Sequence, residues 1–157
     1  MKKILSAVVV CLFVAGAAFA QETATPPSKS TISKDMVTKA VKYLKDNGLE
    51  KAKAAFSQKG DFFTGEYYVY VIQDDGTEVI NGAFPELAGK NVLKLKDYEG
   101  KFITREILHL SRSKGSGWVT YRWKDAVSKR KINKKAYIER EPATGLTVCC
   151  GFARKEI

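Results

Sequence analysis

Four aromatic residues stand in two pairs with a spacing of two, and each pair belongs to a segment rich in β-formers. Tyr68 and Tyr70 lie in YYVYVI, and Tyr121 and Trp123 lie in VTYRW. Side chains two positions apart on a strand point to the same face. Aromatic rings with phenol or indole donors offer a small polar ligand contact area and oriented hydrogen bonds. The same pattern also fits ordinary aromatic side chains in the core of a sheet.

The sequence offers little for catalysis. Its one histidine, His109, has no serine or cysteine partner whose proximity the sequence supports. A Gly-rich phosphate loop is absent, and so are the residue spacings of a metal site. We therefore predict a protein that binds a ligand without turning it over and that needs no metal or cofactor.

Two adjacent cysteines, Cys149 and Cys150, allow two interpretations. As neighbours on a strand they would point to opposite faces and serve as small apolar side chains. A vicinal disulfide would instead require a strained ring and would interrupt the strand. Neither arrangement joins distant elements of the chain.

The first twenty residues have the features of a signal peptide. Lys2 and Lys3 precede an apolar run over residues 4–19, and Ala18-Phe19-Ala20 supplies a cleavage site. A membrane anchor is the alternative, but the run is at the short limit for a bilayer and no basic cluster follows it. Cleavage before Gln21 would place the chain in the periplasm or outside the cell. It would also lower the formal net charge of +10 by two, to +8.

The remaining sequence has the length of one domain. Residues 21–33 are polar and contain two prolines, which predicts a flexible linker before a domain over 34–157. Helical spacing from Ser33 to about Gln58, interrupted near Gly48, predicts a long broken helix capped by Ser33. The later patterns predict a hairpin of residues 67–72 and 78–80, a long loop over 81–101, a helix ending at Gly115, and strands at 117–123, 133–140 and 146–153. This order indicates an α+β fold with one antiparallel sheet of about five strands.

Positive charge is concentrated in the connection between two of these strands. One acid, Asp125, stands among seven cations: Arg122, Lys124, Lys129, Arg130, Lys131, Lys134 and Lys135. Export argues against nucleic acid as the partner. A solvated hairpin tip, attraction to an anionic envelope surface and steering of an anionic ligand remain as interpretations.

Five pieces of the sequence, taken in order, resemble the single Cache domain, an extracytoplasmic PAS-like sensor module. They are Gly65-x-x-Tyr68-x-Tyr70-Val71-x-x-x-x-Gly76-Thr77, Pro85-Glu86-Leu87-x-Gly89-Lys90-Asn91, Asp97-x-x-Gly100-Lys101, Gly115-x-Gly117-Trp118-Val119-x-Tyr121-x-Trp123 and Lys134-x-x-Tyr137-Ile138. The resemblance implies a long N-terminal helix packed on a central antiparallel sheet. It also implies a small-molecule pocket between the sheet and the long loop. Asn81-Gly82 departs from the His-Pro of many relatives at a pocket wall.

The resemblance also implies the residues of the pocket. It aligns Arg105 and Lys134 with the region that holds ligand carboxylates in relatives. Strand parity places Lys135 and not Lys134 on the face of Tyr137, so the lysine that faces the pocket stays open. The expected ligand-binding set is Tyr68, Tyr70, Arg105, Tyr121, Trp123, Lys134 and Tyr137.

We expect a free-standing periplasmic sensor module for a small organic anion such as a carboxylate. Its occupancy would be passed to a separate membrane receptor or kinase, and relatives suggest that it can form a homodimer. The alternative is an envelope interaction protein without a ligand, which docks through its basic hairpin.

Overall fold

The computed structural model describes residues 26–154. The signal peptide and the first part of the linker, as predicted from the sequence, lie outside the described residues. Over the described range, no helix combines the length and the apolar character that a membrane crossing requires.

The described chain forms two helices and seven strands. They are α1 (Lys29–Phe56), β1 (Phe63–Thr64), β2 (Tyr67–Ile72), β3 (Thr77–Asn81), β4 (Lys90–Asn91), α2 (Ile103–Lys114), β5 (Ser116–Lys124), β6 (Lys131–Arg140) and β7 (Thr147–Ala153). The long loop between β3 and α2 holds β4 and one 3₁₀ turn, Pro85–Leu87. All the longer predicted elements are confirmed, and the two-residue strands β1 and β4 are additional.

The strands form one antiparallel sheet in the order β4-β3-β2-β7-β6-β5, and β1 pairs with the start of β2. The last strand, β7, lies between β2 and β6 and therefore joins the early hairpin to the later meander. This arrangement confirms the α+β prediction.

Helix α1 begins earlier than its apolar pattern suggests. Ser28 is the N-cap, and its hydroxyl accepts a hydrogen bond from the backbone N–H of Thr31 at 3.1 Å. The prediction that Ser33 caps the helix is wrong. Ser33 is buried inside the helix, and its Oγ donates to the carbonyl oxygen of Cys150 at 2.6 Å. The predicted break is confirmed at Gly48, whose φ of 79° and ψ of 170° interrupt the helix.

Both faces of the sheet are covered, because successive side chains of each strand point to opposite sides. One face packs on α1, whose buried side chains include Met36 and Val37. The other face packs on α2 and the long loop and carries Tyr68, Tyr70 and Tyr121. We call these the α1 face and the α2 face. The predicted aromatic pairs therefore lie together on the α2 face.

Candidate functional site

A small cavity lies between the α2 face and the elements that cover it. Its volume is about 30 Å³, and its lining residues are Tyr68, Tyr70, Ile72, Glu78, Asn81, Leu87, Leu95, Ile103, Thr104, Ile107, Tyr121 and Trp123. A water molecule needs about 10–15 Å³ by this measure, so the cavity has room for about two. Both aromatic pairs reach it. Leu87 and Leu95 come from the long loop, so the loop forms part of the cavity wall as predicted.

Two tyrosine hydroxyls meet inside the cavity. The Oη atoms of Tyr70 and Tyr121 lie 3.0 Å apart, and both side chains are buried. Burial raises the pKa of each phenol, so both stay neutral. When one hydroxyl donates to the other, the acceptor keeps its own proton. The pair therefore has one O–H available to donate to a third group.

A buried carboxyl group also lines the cavity. Glu78 is 4% exposed, and its Oε1 accepts a hydrogen bond from Nδ2 of Asn81 at 2.6 Å. The Asn81 Oδ1 in turn accepts from the backbone N–H groups of Ala83 and Phe84, at 3.0 and 2.8 Å, which fixes the amide. Loss of water around Glu78 raises its pKa to about 7, while the Asn81 bond acts in the opposite direction. Glu78 is therefore poised between the acid and the carboxylate near neutral pH.

A β-bulge explains why Glu78 faces the cavity. Val71 pairs with Ile80, whereas Ile72 pairs with Glu78, so Val79 is an extra residue in β3. Ile80 belongs to the core on the α1 face, while Ile72 belongs to the core on the α2 face. The extra residue changes the face toward which the strand directs its side chains, as bulges do. Sequence reasoning missed Glu78 because strict alternation places it on the same face as Ile80.

A buried cation, Lys134, lies close enough to act on Glu78 and is 2% exposed. It stands opposite Tyr121 in the sheet, and its Nζ lies 3.8 Å from the centre of the Tyr68 ring. Within residues 26–154 this Nζ makes no hydrogen bond or ion pair, and desolvation lowers its pKa to about 8. Gly151 leaves room for the side chain, since a Cβ there would lie 2.9 Å from Cε of Lys134. The Tyr68 ring thus lies between the cavity, which it lines, and the Lys134 ammonium group.

Comparison with known protein families identifies the family of this chain. A family model described as "Cache domain" matches residues 23–157. The chain belongs to the Cache domain family. Cache domains are extracytoplasmic sensor domains, so this Cache domain is a ligand-binding sensor module with a non-enzymatic role.

Solved structures share the fold of this Cache domain. A periplasmic sensor domain of a chemotaxis protein is 19% identical, with a TM-score of 0.66 over 81% of this chain and 95% of that one. A methyl-accepting chemotaxis protein from Vibrio parahaemolyticus RIMD 2210633 is 20% identical, with a TM-score of 0.67 over 76% and 84%. A Cache chemosensory domain described for its carboxylic acid recognition is 18% identical, with a TM-score of 0.63 over 78% and 86%. Among curated proteins there is no match.

Three of the seven predicted site residues of this Cache domain do not line the cavity, and they are Tyr137, Arg105 and Lys134. Tyr137 is on the α1 face, where its ring centre lies 5.0 Å from that of Trp118. Tyr137 is three residues after Lys134 on an unbroken strand, so the two side chains point to opposite faces. Arg105 is exposed on α2, and its Nε donates to the Leu93 carbonyl oxygen at 3.1 Å. The prediction that Tyr137 and Arg105 line the pocket is therefore wrong.

The two candidate lysines are separated in the same way. Lys135 lies over Trp118 on the α1 face, with Nζ 4.5 Å from the ring centre. Lys134 shares the α2 face with Tyr121. Lys134 is thus on the face that carries the cavity and Lys135 is on the opposite face, although neither lysine lines the cavity.

The cysteines of this Cache domain are free and buried. Cys149 packs in the core of the α2 face, and Cys150 lies on the α1 face with its Sγ 3.5 Å from Sδ of Met36. Burial raises the pKa of both thiols, that of Cys150 to about 11. The vicinal disulfide interpretation is wrong, and neither sulfur has the ionised, accessible form of a nucleophile.

Proposed function

We propose that this Cache domain is a periplasmic sensor of a short carboxylic acid, which binds in the cavity between the α2 face and the long loop. The observation that carries the proposal is the convergence of the Tyr70–Tyr121 hydroxyl pair and the Glu78 carboxyl group on one buried space. The rest of the lining is largely apolar. Such a space suits a ligand with one polar end and a short apolar tail.

The polar groups favour a carboxylate over an amine when Glu78 carries its proton. The hydroxyl pair then has one O–H to donate, and the acid form of Glu78 has another. A ligand carboxylate accepts both hydrogen bonds. Lys134 adds a positive charge across the Tyr68 ring, and such a charge acts strongly in a poorly solvated interior. An ionised Glu78 would repel the same ligand, so binding of the anion is coupled to the proton on this residue.

The cavity limits the size of the ligand. Its volume of about 30 Å³ is far below the several hundred Å³ of pockets for drug-sized molecules. A ligand of a few heavy atoms is larger than this space, so its entry would move Leu87 and Leu95 outward with the loop. The apolar tail would then lie against Ile103 and Ile107 of α2.

The proposal includes the cellular setting. The signal-peptide pattern of residues 1–20 would export the chain, which agrees with the extracytoplasmic place of Cache domains. The similar folds of chemotaxis sensor domains support a membrane receptor or kinase as the partner that receives the signal. Ligand-induced movement of the loop or of α2 would be the information passed on.

The test is a thermal-shift titration at pH 6 with acetate, propionate, lactate and pyruvate, each beside its primary amide. A ligand that binds only the folded state raises Tm by mass action. We expect at least one acid to raise Tm while its amide does not. Tyr121→Phe should weaken that effect, whereas Tyr137→Phe, on the α1 face of the same sheet, should leave it unchanged.

Two results would contradict the proposal. One is a flat Tm for all four acids at pH 6, together with no small acid in native mass spectra of the protein purified from its host. The other is an equal loss of the acid-induced rise in Tm in Tyr121→Phe and Tyr137→Phe. Tyr137 lies on the other face of the sheet, so equal losses would mean that the acid does not bind in the cavity.

A further inference from the structure

The turn between β5 and β6 forms a closed, strongly basic projection, which we call the hairpin tip (residues 124–131). Its one acid, Asp125, is occupied within the turn, since Oδ1 accepts from the backbone N–H groups of Val127 and Ser128 at 3.2 and 2.5 Å. The backbone N–H of Asp125 also donates to Arg130 O at 2.8 Å. The tip therefore has a defined shape, and its acid is turned toward its own backbone.

The structure divides the seven cations of this region into two groups. Three are used elsewhere: Arg122 pairs with Glu99 at 3.1 Å, Lys134 is buried, and Lys135 lies over Trp118 on the α1 face. The other four, Lys124, Lys129, Arg130 and Lys131, are exposed. Within the described chain no carboxylate forms an ion pair with any of these four. The tip therefore presents four exposed cations without an ion-pair partner, and with Asp125 its net charge is +3.

Exposed apolar side chains occur at the same end of the molecule. In residues 26–154, the exposed large hydrophobic side chains are Val127, 69% exposed, and Tyr98, 42% exposed. Val127 is in the turn itself. Tyr98 is held beside it, because Nζ of Lys131 lies 4.4 Å from its ring centre. Cations around a small apolar apex are the composition of a site that binds at a membrane interface.

We propose that the hairpin tip docks on an anionic phospholipid surface. The four cations lie among the lipid phosphates, and Val127 and Tyr98 enter the headgroup layer. The four cations sit on long, exposed side chains around the exposed Val127, and this combination suits a fluid charged surface. This inference goes beyond the sensor function and stands on different residues.

Docking would also act close to the cavity. The Tyr98 ring centre lies 6.5 Å from that of Trp123, which lines the cavity, and Nζ of Lys129 lies 5.1 Å from the ring centre of Phe84. Phe84 in turn packs against Trp123 and Tyr68. A lipid surface that draws Lys129 and Tyr98 outward therefore acts on the aromatic wall of the ligand site.

The experiment is flotation of the purified protein with vesicles of phosphatidylglycerol and phosphatidylcholine in equal parts, beside vesicles of phosphatidylcholine alone. The tip variant carries Lys124→Gln, Lys129→Gln, Arg130→Gln and Lys131→Gln. The matched control removes four exposed lysines elsewhere, by Lys39→Gln, Lys45→Gln, Lys51→Gln and Lys59→Gln. All proteins share one N-terminus, and their circular dichroism and Tm verify folding.

We expect binding to the anionic vesicles only, with loss at high salt. The partition coefficient should fall about 100-fold or more in the tip variant, since each cation near the surface contributes roughly a fivefold factor, and much less in the control. Val127→Asp, which keeps the four cations, should also weaken binding. Equal losses in the tip variant and the control would overturn the proposal. Absence of vesicle binding with retention on polyglutamate would also overturn it and would assign the tip to an acidic protein partner.

Discussion

The hydroxyl oxygens of Tyr70 and Tyr121 lie 3.0 Å apart although their strands, β2 and β5, are separated in the sheet by β7 and β6. Two long side chains reach over the intervening strands to meet. The residues beneath them on the α2 face include Cys149, Ala136 and Gly151, which are small. These small side chains leave room for the two tyrosine rings to meet above them, next to the cavity that both rings line.

The first prediction concerns this hydroxyl pair. Tyr121→Phe leaves the Tyr70 hydroxyl buried without its partner, which should lower the free energy of unfolding by about 1–3 kcal/mol. Removing both hydroxyls should cost less than the sum of the single changes. Urea unfolding of Tyr70→Phe, Tyr121→Phe and the double variant measures this coupling. Additive costs would mean that the hydroxyls do not interact.

The second prediction is a loss of stability with rising pH due to Glu78. Its pKa is about 7 in the folded protein and about 4.5 when solvated, so between these values the folded state binds more protons than the unfolded state. The free energy of unfolding should therefore fall as pH rises from 4.5 to 7, by about 3 kcal/mol from this group. The measurement is urea unfolding at several pH values.

Glu78→Gln is the matched variant for this test. Its amide keeps the shape of the acid and can bond to Asn81 but does not titrate. Its stability should lack the decline between pH 4.5 and 7 that the unchanged protein shows. Parallel pH profiles for both proteins would exclude Glu78 as the buried titrating group.

The third prediction concerns the buried cation. The pKa of Lys134 is about 8 in the folded protein and 10.5 in its ordinary state, so between pH 8 and 10.5 the unfolded state binds more protons. Stability from this group should rise with pH across that window and be lost as pH falls through 8. Lys134→Met should therefore be more stable than the unchanged protein at pH 7, by up to about 3 kcal/mol.

The advantage of Lys134→Met should shrink as the pH approaches 10. Lys135→Met removes a neighbouring lysine from the other face and serves as the control, with little change at either pH. Greater stability of Lys135→Met than of Lys134→Met at pH 7 would contradict the assignment of the buried charge.

The fourth prediction is chemical. Cys149 and Cys150 are buried, and burial raises the pKa of both thiols, so neither should react with Ellman's reagent in the folded protein at pH 8. Both should react in urea. The readout is the number of titrated thiols before and after unfolding. Rapid reaction in the native state would indicate that one strand face is more open than the structure has it.

The sequence predicted those parts of the site that depend on local rules. A spacing of two places Tyr68 with Tyr70 and Tyr121 with Trp123 on any regular strand, whatever the rest of the fold does. The same alternation predicts that Tyr137 and Lys134 point to opposite faces, whereas the family resemblance suggested that both line one pocket. Because β6 is unbroken, the alternation was the better guide.

The remainder depends on pairing between strands. Glu78 reaches the cavity through the bulge at Val79, which exists only because β3 pairs with β2 in a shifted register. Arg105 leaves the cavity because Ile103, Thr104 and Ile107 of α2 occupy that side of the helix. Neither the register of a bulge nor the rotation of a helix about its axis is fixed by the spacing of residues within one element.

The hydrogen bond from Ser33 to the Cys150 carbonyl oxygen ties the first half of α1 to β7, the strand that joins the two halves of the sheet. If this half of the helix slid along its axis, the buried carbonyl oxygen of Cys150 would lose its hydrogen bond from Ser33. Gly48, further along the helix, has no such tie, and its backbone already lies outside the helical range. If α1 bends, the bend should therefore occur at Gly48, where the backbone has already left the helical range.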